Sequence, residues 1–249
     1  MDTLDYEKAR EEGEKRANAF LNYLIVASNI DSIKPAKFDE LPKLLNAEKF
    51  KEDKKIVTKT FSSSFLVVNT LRKERVDSAN LLSSTQHRLT SDKQGAIDTC
   101  LFWLRRAAEA EFTLERFVFR WVSFEALGGV LNARFNSTEK QIHCLINELT
   151  EKSANAIFSR HSELVKQLEV ASLIGWKGQN RNQELTDAIQ ALARSGSFKT
   201  VMMRTASCIY EVRNRFLHKG IAESLVNSCS VLLKELIHAV LRDYLLRDS

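Results

Sequence analysis

The chain has 249 residues, 44% hydrophobic and 28% charged, with four cysteines and a formal net charge of +5. That length and balance exclude a disulfide-stapled miniprotein and a low-complexity disordered chain, and allow one large domain or two small ones. The mild basic excess is compatible with nucleic acid as a partner without establishing it. With only 2 prolines and 8 glycines, the sequence has little punctuation and favours long helices.

The opening "MDTLDYEKAREEGEKR" lacks the apolar core of a signal peptide, and no apolar run approaches the ~18 residues that span a bilayer. A cytoplasmic protein without membrane association is expected. Residues 5–28 read as a helix, and 29–52, which hold Pro35 and Pro42, as loop. The β-branched and aromatic run "KKIVTKTFSSSFLVV" reads as a strand or hairpin, and 70–92 stay ambiguous between an extended excursion and a short helix.

From about residue 93 the pattern becomes helical. "QGAIDTCLFWLRRAAEAE" sets Ile97, Leu101, Leu104 and Ala108 at helical spacing. "LERFVFRWVSFEALGGVL" follows, with a broad apolar face of Phe117, Val118, Trp121, Val122 and Phe124, and Gly128-Gly129 as an end or kink. Ser137 or Thr138 then caps "STEKQIHCLINEL". Helices at about 153–170, 183–193, 198–217 and 222–246 complete the chain, with the loop "IGWKGQNRN" after the first of these and Gly220 ending the third. The fold class is therefore all-α over 93–249, with a small N-terminal α+β extension over 1–92. Cys100, Cys144, Cys208 and Cys229 lie singly in apolar helical contexts, where cysteine acts as a small hydrophobe, so neither a structural zinc nor a disulfide framework is expected.

The stretch "IYEVRNRFLHKGI" carries the candidate chemistry. Helical neighbours lie three and four positions away. For Arg213 these are Ile209, Tyr210, Phe216 and Leu217, all apolar or aromatic; for Arg215 they include Glu211, a ready ion-pair partner. An unpaired guanidinium on an apolar face is costly, so Arg213 calls for a partner. Glu125, which follows Trp121 and Val122 and precedes Gly128-Gly129, is the acid placed to supply one and fix the guanidinium plane. His218 lies five steps after Arg213, about 140° around a regular helix. The two side chains converge only where the helix unwinds near His218, as the following Lys219-Gly220 suggests. A histidine there sits at a helix C-terminus, which favours its protonated form.

The Arg-x4-His element with Asn214 after the arginine and a glycine following, together with "RFVFRWVSFEALGG", resembles the HEPN superfamily, in particular its Apea-like branch, over roughly residues 93–245. The resemblance implies a HEPN-like helical bundle and a metal-independent endoribonuclease without cofactor, working as a homodimer in a toxin or phage-defence setting. Two motifs then face each other across a composite cleft. Arg213 and His218 are the implied catalytic pair, Asn214 assists, and Glu125 supports the site. RNA is the implied partner, with an antitoxin or regulatory protein as a second one. Arg215, Lys219, Trp176 and Lys177 are the candidate RNA contacts, the last two in the basic loop "GWKGQNRN" with Arg181, whose alternative is an ordinary surface loop. Trp103 and Trp121 read as core. A non-catalytic HEPN module, binding RNA or nucleotide or acting as a scaffold, is the alternative reading.

Overall fold

Helical periodicity in the sequence becomes a bundle in the computed structural model, which describes residues 89–130, 137–174, 178–194, 196–219 and 223–247, with the backbone alone at 129–130 and 217–219. The chain divides between Ser84 and Thr85. The helix, loop and strand expected before residue 89 lie outside the described residues, as do Trp176 and Lys177. Seven helices follow in order: α1 Ser91–Glu109, α2 Thr113–Val130, α3 Thr138–Asn147, α4 Glu151–Val170, α5 Arg181–Leu192, α6 Phe198–Lys219 and α7 Glu223–Arg247. Among the described residues there is no strand, only an isolated antiparallel bridge between Ile174 and Asn180.

Each helix buries the stripe that its period puts on one side. On α1 this is Ile97, Cys100, Leu101, Leu104 and Ala107, so Ala107 takes the place expected for Ala108. On α2 it is Phe117, Trp121, Phe124 and Leu127; Val118, expected on that face, is exposed. The step from 117 to 121 to 124 uses spacings of four and three, and 118 lies one step off it. α2 runs through Gly128-Gly129 to Val130, one residue past the expected end. A glycine inside a helix weakens it without breaking it.

α1 packs almost wholly on α2, and α2 in turn on α7. Cys100 and Ser123 lock the first pair, with Sγ and Oγ 3.1 Å apart and the Ser123 hydroxyl donating to the Cys100 carbonyl at 2.8 Å. α6 packs on α3, α4 and α5. α7 also packs on α4, which makes it the shared wall of both groups, with side chains from Val226 to Leu245 buried. By length and composition α7 could cross a membrane, but 72% of its apolar stretch is buried inside the bundle. Arg120 crosses from α2 to α7, donating to the Ser230 carbonyl at 3.0 Å and hydroxyl at 2.9 Å.

Caps set where the helices begin. Ser137 accepts from the Lys140 amide, Thr150 from Ser153 and Asn180 from Gln183. Two caps come from distant elements. Asp243 on α7 accepts from the amide of Thr150 at 2.8 Å and from its hydroxyl at 3.0 Å, holding the start of α4. Glu151 accepts from the Phe198 amide at 3.0 Å and from the Ser197 hydroxyl, holding the start of α6. Anions at helix N-termini are favoured by the dipole as well as by the bond. These contacts fix α6, which carries the motif, at its N-terminal end.

Candidate functional site

The C-terminal half of α6 is apolar on the side that faces the bundle, with Ala206, Ile209 and Val212 buried. Arg213 and Arg215, two residues apart, point to different surroundings.

Arg215 pairs with Glu211 one turn back, Nε to Oε1 at 3.3 Å, as its spacing predicts. It also donates from Nη1 to the Ser172 carbonyl, and from Nη2 to the Ile174 carbonyl at 3.1 Å. The described ends of the α4–α5 connection are closed by the Ile174–Asn180 bridge, by the Arg181 amide on the Leu173 carbonyl at 2.9 Å, and by the Leu173 amide on Asn182 Oδ1 at 3.2 Å. Gly178, with φ of 77°, supplies a left-handed residue that other side chains rarely adopt. Arg215 is thus a clamp between α6 and this connection, and three acceptors already hold its guanidinium.

Arg213 has a different set of partners. Its Nη1 donates to the side-chain oxygen of the adjacent Asn214 at 3.1 Å, and its guanidinium carbon lies 6.0 Å from the centre of the Trp121 ring. Tyr210, one turn earlier on α6, stacks on the same indole at 5.7 Å with 27° between the planes. Trp121 is 2% exposed and packs on Phe124 behind it. It is core, as its sequence context suggests, and no surface platform for a base.

The expected ion pair between Arg213 and Glu125 is not formed. Arg213 rests on Trp121, one helical turn before Glu125 on α2, and Asn214 Oδ1 is its one acceptor among the described residues. The cation is half-buried, and among the described residues most of its donors are unused and no carboxylate pairs with it.

α6 stays helical through Lys219, so the backbone does not unwind at His218. Within one chain positions 213 and 218 are about 140° apart around the axis. His218 and Lys219 are placed here by their backbone, in the last turn, where the dipole favours a cation.

Arg181, read from sequence as a loop cation, is buried at the start of α5. It pairs with Glu139 on α3 at 3.0 Å and with Glu184 at 3.2 Å, and Glu184 also pairs with Arg204 on α6 at 3.0 Å. Burial opposes the charge on Arg181, but bonds to the two carboxylates outweigh it and raise its pKa. The "NRNQ" stretch held the signal: Asn180 followed by Gln183 is a helix-start pattern, which puts Arg181 in the first turn rather than in the loop. Among the described residues no group of three or more His, Cys, Asp or Glu is placed to hold a metal ion. Burial pushes the Cys100 and Cys208 thiols up to about 12, and Cys229 higher still, which makes them inert packing groups.

No family model, no curated protein and no solved structure matches the chain.

Proposed function

We propose that the helical domain is a HEPN-type endoribonuclease that cleaves RNA without a metal, in a toxin or phage-defence role. The observation that carries this reading is the state of Arg213: half-buried, backed by Trp121, bonded only to the neutral Asn214 among the described residues, and five positions before His218. A guanidinium in this condition is prepared for an anion, and the phosphodiester of RNA provides one.

RNA also brings its own nucleophile. The 2′-oxygen attacks the adjacent phosphorus, the bond from phosphorus to the 5′-oxygen breaks, and the products are a 2′,3′-cyclic phosphate and a 5′-hydroxyl. Proton removal from the 2′-OH and proton delivery to the leaving oxygen are assigned to His218, a role worth ~10²–10⁴-fold. Arg213 stabilises the charge that grows on the phosphoryl oxygens. Because positions 213 and 218 diverge around α6, the arginine of one copy and the histidine of another form the site in this reading, and the active species is a homodimer.

The same divergence favours a second reading: a HEPN module that binds RNA or nucleotide through Arg213 and cleaves nothing. Labelled single-stranded RNA incubated in EDTA with wild type, Arg213→Ala and His218→Ala separates the two. Cleavage by wild type alone, ending in cyclic phosphate, is expected. Binding that depends on Arg213 without any cleavage supports the second reading, and equal cleavage by all three proteins overturns the first.

A further inference from the structure

We infer that Trp121 is the positioning residue for Arg213, holding the cation in place without neutralising it; this deepens the ribonuclease reading and rests on it for its catalytic consequence. α2 and α6 otherwise barely pack together, yet the Trp121 ring reaches across to meet Tyr210 and Arg213, one turn apart. Tyr210 stacking and Phe124 behind leave the indole little freedom, so the face it offers Arg213 is fixed.

The indole Nε1 of Trp121 is buried and has no hydrogen-bond partner among the described residues. A buried donor without an acceptor is destabilising, and phenylalanine would fill most of this space without one. The N–H bond therefore does not account for a tryptophan here. What tryptophan adds over phenylalanine is a larger, more electron-rich face, the best of the aromatic rings for a cation.

The choice of partner has a chemical consequence. A carboxylate in this place would occupy two guanidinium donors and cancel the charge. An aromatic face attracts the cation through its quadrupole and takes no donor. Asn214 takes one donor at 3.1 Å and adds no charge. Arg213 is thereby ordered while its remaining donors stay available to a phosphodiester.

The test uses the full chain with Trp121→Leu and Trp121→Phe, each alone and combined with Arg213→Lys. The first readout is the Nε–Hε NMR resonance of Arg213, which the ring current of the indole displaces. The second is the turnover rate on single-stranded RNA at saturation. Trp121→Phe is expected to keep or raise the thermal midpoint, retain part of the displacement and lose less than about 5-fold in turnover. Trp121→Leu is expected to abolish the displacement and cost about 10-fold in turnover, with no further loss in the Arg213→Lys background. An Arg213 resonance that stays where it is in both variants, or an equal loss with and without Arg213→Lys, overturns the inference. Should Trp121→Leu not fold, the resonance in Trp121→Phe decides alone: a partial return supports the contact, none overturns it. A wild type that cleaves no RNA, with the resonance still moving on Trp121→Leu, overturns the ribonuclease reading and supports the positioning.

Discussion

The two ends of α6 treat an arginine in opposite ways. Near its start, Arg204 and the buried Arg181 share Glu184, and Arg181 also pairs with Glu139, in a chain of pairs at 3.0–3.2 Å. Near its end, Arg213 is half-buried and has an aromatic face and one amide oxygen. In the first region charge is cancelled locally, so the guanidinium is spent on joining α3, α5 and α6. In the second the cation is ordered but not cancelled, the condition that suits an anionic ligand. Arginine count does not separate these cases; the number of carboxylates within reach does.

The comparison breaks if Arg181 proves dispensable. Arg181→Met is expected to lower stability by about 2–3 kcal/mol, below the usual range for breaking a buried pair because Glu139 is 43% exposed and can rehydrate. Arg213→Ala is expected to change stability by less than about 1 kcal/mol, since it removes only one neutral acceptor bond and a cation–π contact. Denaturant midpoints at unchanged m-value measure both. Equal losses for the two variants would mean that Arg213 is a structural residue of the same kind.

Arg215 sharpens the contrast from two residues away. Removing it in Arg215→Ala deletes the Glu211 pair and both carbonyl bonds, about 1–2 kcal/mol felt mainly in the α4–α5 connection. Hydrogen exchange at the Leu173 and Arg181 amides, which close that connection, is expected to speed up about 10-fold while the amides of α7 stay as they are. Uniform acceleration across the bundle would remove Arg215 from the role of a local clamp.

The thiols affect stability only at high pH. Cys100 and Cys208 have pKa values of about 12 against an ordinary 9.0, so above pH 9 the unfolded chain loses protons that the folded one keeps. Stability is therefore complete below pH 9 and falls as the pH rises towards 12, by up to about 1.4 kcal/mol per pH unit for each thiol. At pH 8 the consequence is only chemical: alkylation of the native protein is expected at the half-buried Cys144 and not at Cys100, Cys208 or Cys229. Rapid labelling of Cys100, Cys208 or Cys229 would contradict their burial.

How far the sequence led can be judged from particular residues. Ser137 and the glycine-poor helical runs were legible because caps and a 3.6-residue period are local properties. Glu211 with Arg215 was legible for the same reason, as an i,i+4 pair. Val118 and Ala108 were misplaced by one step, because the edge of a helical stripe is set by the tilt of the neighbouring helix. Glu125 as partner of Arg213 was wrong by one turn of α2, a relative shift of two helices that no local pattern records. The burial of Arg181 depended on α3 bringing Glu139 to it from 42 positions away in the chain.

By itself, the sequence determined that residues from about 93 form amphipathic helices and that Arg213 lies on an apolar face, since both follow from spacing along one helix. Only the tertiary structure decided what meets that face. Trp121 is 92 positions before Arg213, and the packing of α2 and α6 against α7 brings the ring rather than a carboxylate to the guanidinium. That choice rests on long-range packing, and it leaves the cation of Arg213 held but unneutralised.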